Sequence, residues 1–183
     1  QCIVIYPLID DSEKLDLGAA VKGLEVLKKR FLDYSVELMH GRMKREEKDK
    51  IMSHFSSNKI RLLVSTTVIE VGIDVPNATV MLIENAERFG LTQLHQLRGR
   101  IGRGSEKGYC ILIHRKITDN SKKRLGIMER TKDGFEISDE DLRLRGPGEF
   151  YGTRQHGYPV WKIADIVNDG EIIRDAQKVA SNI

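Results

Sequence analysis

Leu62-Leu63-Val64-Ser65-Thr66-Thr67-Val68-Ile69-Glu70-Val71-Gly72-Ile73-Asp74-Val75-Pro76-Asn77 opens as an apolar run and passes directly into hydroxyl residues, then Gly-x-Asp, then Pro. With Ile60 at its head, the run to Val64 is short and does not alternate with polar residues, as expected of a strand covered on both faces. Hydroxyls and free backbone N–H groups at a strand's carboxyl end suit a phosphate. A carboxylate such as Asp74 can accept hydrogen bonds from ribose hydroxyls. The same residues also suit a plainer role, with Ser65 to Thr67 capping a helical turn and Asp74 closing a loop.

Outward from this stretch, strand and helix alternate. Ile3 to Ile9 is another near-continuous apolar run. A helix follows, with Asp11 or Ser12 as N-cap and an apolar stripe of Ala20, Leu24, Leu27 and Phe31. Ser35 to Met39 reads as a strand ending at His40-Gly41. Lys44 to Phe55 reads as a helix with Ile51, Met52 and Phe55 inward. Its run of mixed charges to Lys50 fits a solvated face, with Glu46 and Lys50 at i,i+4. Strands over Thr79 to Glu84 and Gly108 to His114 bracket a helix beginning at Leu91. Strands separated by helices mean crossover connections and a mostly parallel sheet, with ligands at the strands' carboxyl ends.

After about residue 115 the pattern changes. Residues 115–132 hold seven basic and two acidic residues and read as a helix ending before the turn signal Asp133-Gly134. Ser138-Asp139-Glu140-Asp141 fits a helix start, so the two segments suggest a helical hairpin. Arg145-Gly146-Pro147-Gly148-Glu149 and Gly152-Thr153-Arg154-Gln155-His156-Gly157 contain four glycines and a proline, a shaped loop. Residues 161–183 read as one or two amphipathic helices, with Trp161 as an anchor. The expected divisions are 1–115, 116–157 and 158–183.

Composition narrows the function classes. The chain has 183 residues, and its 30 basic and 27 acidic residues leave a net charge of +3, too small by itself to argue for nucleic-acid binding. No apolar run reaches the ~18 residues of a membrane span. Cys2 and Cys110 lie far apart, no CxxC or His/Cys cluster suggests zinc, and no secretory signal is visible, so an intracellular protein without a metal site is expected. The chain opens on Gln1 and enters a strand at once, which predicts a piece of a longer protein.

Chemistry concentrates in Gln93-Leu94-His95-Gln96-Leu97-Arg98-Gly99-Arg100-Ile101-Gly102-Arg103-Gly104. Guanidinium forks match phosphate oxygens, and interleaved glycines let backbone approach a ligand. An arginine aimed at a transferring phosphoryl group supplies roughly 10³–10⁵ in rate. The plainer alternative is a basic surface turn or a general nucleic-acid contact.

Gln96 through Arg103 resembles motif VI of superfamily 2 helicases, and Ser65-Thr66 through Gly72-Ile73-Asp74 resembles their motif V. His40-Gly41-Arg42-Met43, Thr66 to Gly72, Gln93 to Gly104, Asp133-Gly134-Phe135, Arg145 to Glu149 and Gly152 to Gln155 together are similar to the RecG family of branched-DNA translocases, over residues 1 to about 157. The resemblance implies an α/β fold: a second RecA-like motor domain with a mostly parallel sheet and flanking helices. A helical hairpin, a Gly-rich loop and C-terminal helices would follow. It implies that Arg100 and Arg103 reach the ATP γ-phosphate, that Gly72, Asp74 and Gln96 face the nucleotide, and that Thr66 contacts the DNA backbone. Arg124, Arg145 and Gln155 would couple hydrolysis to movement on duplex DNA. The transcription-repair coupling factor shares this element, but Gly152-Thr153-Arg154-Gln155 favours the RecG family. Val71 stands where RNA helicases of the DEAD-box type usually carry Arg.

No Gly-Lys dipeptide occurs, so there is no Walker A loop. The resemblance implies that Mg²⁺ and the triphosphate are held mainly by a first motor domain outside this chain. It also implies a wedge domain, branched double-stranded DNA as partner, no membrane, and a bacterial cytoplasmic, nucleoid-associated setting. The isolated chain is expected to lack ATPase activity. Two other readings compete: a non-catalytic RecA-like nucleic-acid-binding or regulatory module, and a Rossmann-type metabolic enzyme. The latter lacks Gly-x-Gly-x-x-Gly after its first strand.

Overall fold

The computed structural model describes residues 1–7, 13–66, 77–102, 104, 106–145, 172, 175, 179 and 180. Two compact units divide the chain, Gln1–Lys132 and Asp133–Ile183.

The first unit is built on five parallel strands: β1 (Cys2–Tyr6), β2 (Val36–Met39), β3 (Leu62–Thr66), β4 (Val80–Ile83) and β5 (Tyr109–Leu112). Their spatial order is β2-β3-β1-β4-β5. Tyr6 lies beside Thr66, and Ile5 beside Ile83, so the carboxyl ends of the three central strands come level. Chain order reverses across β1, from β3 on one side to β4 on the other. That crevice is where such sheets take ligands.

The apolar run that opens the sequence argument is buried at every position of β3. Its strand begins two residues later than expected and includes Ser65 and Thr66. Val4, Ala20, Val36, Leu62 and Val64 form a buried cluster between the sheet and α1 (Glu13–Arg30). Each such side chain removed from water contributes about 1.5–3 kcal/mol. Leu24 and Leu27 pack on the cluster, but Phe31 lies past the helix end and is 37% exposed. Its ring meets Tyr34 edge-on instead. In α2 (Arg45–Ser56), Met52 and Phe55 are buried as expected. The Glu47 carboxylate accepts the Lys44 N–H at 3.1 Å, which starts that helix. The expected strand residues Leu8 and Ile9 and the caps Asp11 and Ser12 lie outside the described residues.

On the other side of β1, α3 (Leu91–Arg98) buries Leu91, Leu94 and Leu97. β5 leads into α4 (Asp119–Arg130), where the Thr118 hydroxyl accepts the Ser121 N–H at 3.2 Å.

In the second unit, α5 spans Gly134–Arg145. This corrects the expected start at Ser138. The Asp133 carboxylate accepts the Phe135 N–H at 2.8 Å, so Asp133 acts as the cap and the Asp-Gly pair opens a helix. Residues 172, 175, 179 and 180 are helical. Trp161 lies outside the described residues. No described helix is long and apolar enough to cross a membrane.

Candidate nucleotide and nucleic-acid site

Thr66 ends β3 with its side chain fully buried, and its hydroxyl oxygen has no hydrogen-bond partner among the described residues. Ser65, equally buried, donates to the Thr66 carbonyl at 2.7 Å. An unpaired buried hydroxyl costs free energy, so Thr66 carries unused bonding capacity at the ligand edge. His40, just past β2, has a buried Nδ1 that also lacks a partner. Its backbone N–H faces the Met43 sulfur at 3.4 Å, and its carbonyl accepts the Met43 N–H. Gly72 and Asp74 lie outside the described residues.

The basic cluster resolves into different environments. Arg98 ends α3 and is half-buried. Its Nη1 donates to the carbonyls of Met128 and Thr131, both at 2.8 Å, and its Nη2 lies 3.2 Å from His95 Nδ1. These are the carbonyls left open at the end of α4, where a cation is favoured. Arg100 follows in a turn, half-buried, and its guanidinium has no hydrogen-bond or ion-pair partner among the described residues. Gln96 is exposed on the outer face of α3. Arg103 lies outside the described residues.

Gly102 sets the turn that carries Arg100. Its φ is +68°, and a Cβ there would lie 3.0 Å from the Gly108 backbone. Its N–H donates to the Ala78 carbonyl at 3.3 Å. A side chain would therefore meet both torsional strain and a neighbouring backbone.

Arg124, on α4, donates to the Phe89 and Glu87 carbonyls at 2.9 Å each. These residues belong to the 3-10 turn Ala86–Arg88 and its exit, immediately before α3. The Arg145 side chain and Gln155 lie outside the described residues.

Sequence reasoning missed the internal role of Arg98. Residue type and spacing group Arg98 with Arg100 and Arg103; the resemblance assigns a role to Arg100 and Arg103 only, and the tertiary position of α4 shows what Arg98 holds. It also missed a cavity of about 580 Å³ between β5 and α4, lined by Arg98, Cys110, Leu112, His114, Leu125 and Met128 among others. Burial pushes the Cys110 thiol up to about 11, against the opposing effect of Arg98. The thiol is therefore protonated and unreactive near neutral pH. Both cysteines are free. Among the described residues no group of three or more His, Cys, Asp or Glu side chains is arranged to hold a metal ion.

The helicase conserved C-terminal domain family matches residues 1–105. A second family, described as ATP-dependent DNA helicase RecG, domain 3, C-terminal, matches residues 131–183. The chain is 53% identical over 184 residues to the ATP-dependent DNA helicase RecG of Streptococcus pneumoniae, with 100% of this chain and 27% of that protein covered. The RecG of a Synechocystis species is 51% identical over 184 residues, again with 100% of this chain covered and 22% of the relative. A solved structure of RecG bound to a three-way DNA junction superposes with a TM-score of 0.69 at 46% identity, covering 94% of this chain and 22% of that one. The chain spans about a quarter of the length of the curated relatives it matches.

Proposed function

Because the chain belongs to the family of helicase conserved C-terminal domains, we propose that it is the second motor domain of an ATP-dependent DNA helicase acting on branched DNA. Residues 1–115 form the RecA-like domain, 116–157 the translocation element and 158–183 a C-terminal extension. The contrast between Arg98 and Arg100 carries the reading. One guanidinium ties the motor helix to α4, and the next, two residues on, has no partner among the described residues.

In this reading ATP lies in a cleft between this domain and a first motor domain of the same protein. ATP with Mg²⁺ supplies the transferable phosphoryl group and the driving free energy. Arg100 and Arg103 act on charge developing at the γ-phosphate, where fixed cations are worth most. A guanidinium with no partner among the described residues, carried on the Gly102 turn, fits that role, and Gly72, Asp74 and Gln96 face the nucleotide. Thr66 uses its unpaired hydroxyl on a DNA phosphate oxygen. Arg124, Arg145 and Gln155 pass the change in nucleotide state to the duplex. In this reading the working protein acts in the bacterial cytoplasm, at the nucleoid.

The test is Arg100→Ala and Arg103→Ala in the RecG-length protein that carries this chain. ATPase turnover should fall by roughly 10³ or more, with junction affinity at fixed salt nearly unchanged. Near-normal turnover with weakened DNA binding would make these arginines DNA contacts, as in a non-catalytic binding module. The 183-residue chain alone should show no DNA-stimulated ATPase.

A further inference from the structure

We infer that Glu87 is a positioning residue, which fixes the connection between β5 and α4, and hence α4 itself, to the turn that leads into α3. Glu87 sits in the 3-10 turn Ala86–Arg88. Its Oε1 accepts the backbone N–H of Arg115 at 3.2 Å and that of Lys116 at 3.1 Å. Its own carbonyl accepts the Arg124 guanidinium at 2.9 Å. One residue thus holds the connection by its side chain and α4 by its main chain.

Neighbouring contacts reinforce the same junction. The Ala86 N–H donates to the Ile113 carbonyl at 2.7 Å. Glu84 Oε2 accepts from Arg115 Nη2 at 3.3 Å. Hydrogen bonds from N–H donors to a carboxylate are stronger than neutral ones. Partial burial pushes the Glu87 carboxyl up, but N–H groups of Lys116, Glu87 and Arg115, with His114 nearby, hold it below its usual value. Its Oε2 is buried and has no partner among the described residues. A rigid link here makes α3, which ends at the Arg100 turn, and α4 respond together.

This inference rests on the reading of α4 as part of the translocation element, and the experiment separates the two. In the RecG-length protein, ATP hydrolysed per junction unwound is measured for Glu87→Ala, Glu87→Asp, Glu87→Gln and Arg124→Ala. Loss of the paired acceptor in Glu87→Ala should raise the ratio about tenfold, with turnover of ATP largely kept. Glu87→Asp keeps the charge but shortens the reach, so the ratio should rise there too, even if the alanine variant does not fold. Glu87→Gln keeps an acceptor oxygen and should return the ratio close to wild type. A wild-type ratio in both Glu87→Ala and Glu87→Asp, beside a raised ratio in Arg124→Ala, overturns the role of Glu87 and leaves the motor reading standing. Equal loss of hydrolysis and unwinding would make Glu87 a residue of the fold alone. If Arg124→Ala also leaves the ratio unchanged, the translocation reading itself fails.

Discussion

Arg98 and Arg124 bond across the same helix pair in opposite directions: Arg98 of α3 reaches the carbonyls at the end of α4, and Arg124 of α4 reaches the carbonyls just before α3. Each guanidinium serves two main-chain acceptors. Reciprocal bonding of this kind, at the start of α3 and at its end, resists both sliding and splaying of the helices.

The pair predicts a measurable stability effect in the 183-residue chain. Arg98→Ala and Arg124→Ala should each cost about 1.5–3 kcal/mol, because each removes two charge-assisted bonds to half-buried carbonyls. Because both hold the same contact, the double variant should cost less than the sum. Urea unfolding of the two single variants and the double variant tests this. Strict additivity would mean that the bonds are independent surface contacts.

Glycine substitutions should show opposite signs at two positions. Gly102→Ala forces an alanine to a φ of +68° against the Gly108 backbone, and should destabilise by about 1–3 kcal/mol. Gly126, inside α4, has open space where a Cβ would sit. Gly126→Ala should stabilise by about 0.5–1 kcal/mol through helix propensity. Thermal melts of both variants decide it. Equal effects would remove the structural reason for glycine at 102.

Alkaline pH should weaken the fold through Cys110. Its thiol is raised to about 11 from an ordinary 9.0. Between those values the unfolded chain loses the proton while the folded one keeps it. The unfolded state then binds fewer protons, so stability is full below about pH 9 and declines toward 11. The loss is on the order of 2 kcal/mol. Tyr6 is raised in the same direction, by burial and then Glu84, so pH alone does not isolate the thiol. Melting temperatures at pH 8 and 10.5 should converge in Cys110→Ala more than in the unmodified chain. An identical alkaline decline in both would assign it to Tyr6 or other groups.

The central strands were legible because they are apolar runs buried on both faces and punctuated by polar ends. The fully buried β3 is the clearest case. Helix limits were less legible where a cap residue also fits a turn. α4 does end before Asp133-Gly134, as expected, but the same pair also opens α5, through one carboxylate-to-N–H bond. At the site, residue type and spacing marked Arg98 and Arg100 alike. Their difference depends on α4 reaching back to α3, a contact between residues about thirty positions apart that no local pattern encodes. Glu87 escaped notice for the same reason, since its partners are backbone N–H groups and these leave no mark in side-chain pattern.

Arg145 and Gln155 are linked to the motor by the family resemblance. Four glycines fall within residues 146–157, and glycine can take backbone conformations that other residues avoid. A coupling residue should fail differently from a finger arginine. In the RecG-length protein, Arg145→Ala or Gln155→Ala leaves Arg100 and Arg103 in place, so hydrolysis on DNA should continue at a substantial fraction of the normal rate. Fork unwinding should fall much further, because the stroke no longer reaches the duplex. The measurement is ATP consumed per junction converted, expected to rise about tenfold or more by analogy with the loss of a charge-assisted contact. Proportional loss of both rates would place these residues in the ATP site or the fold. No change in either would reduce the glycine-rich stretch to a connector and leave the motor without its proposed route from α4 to DNA.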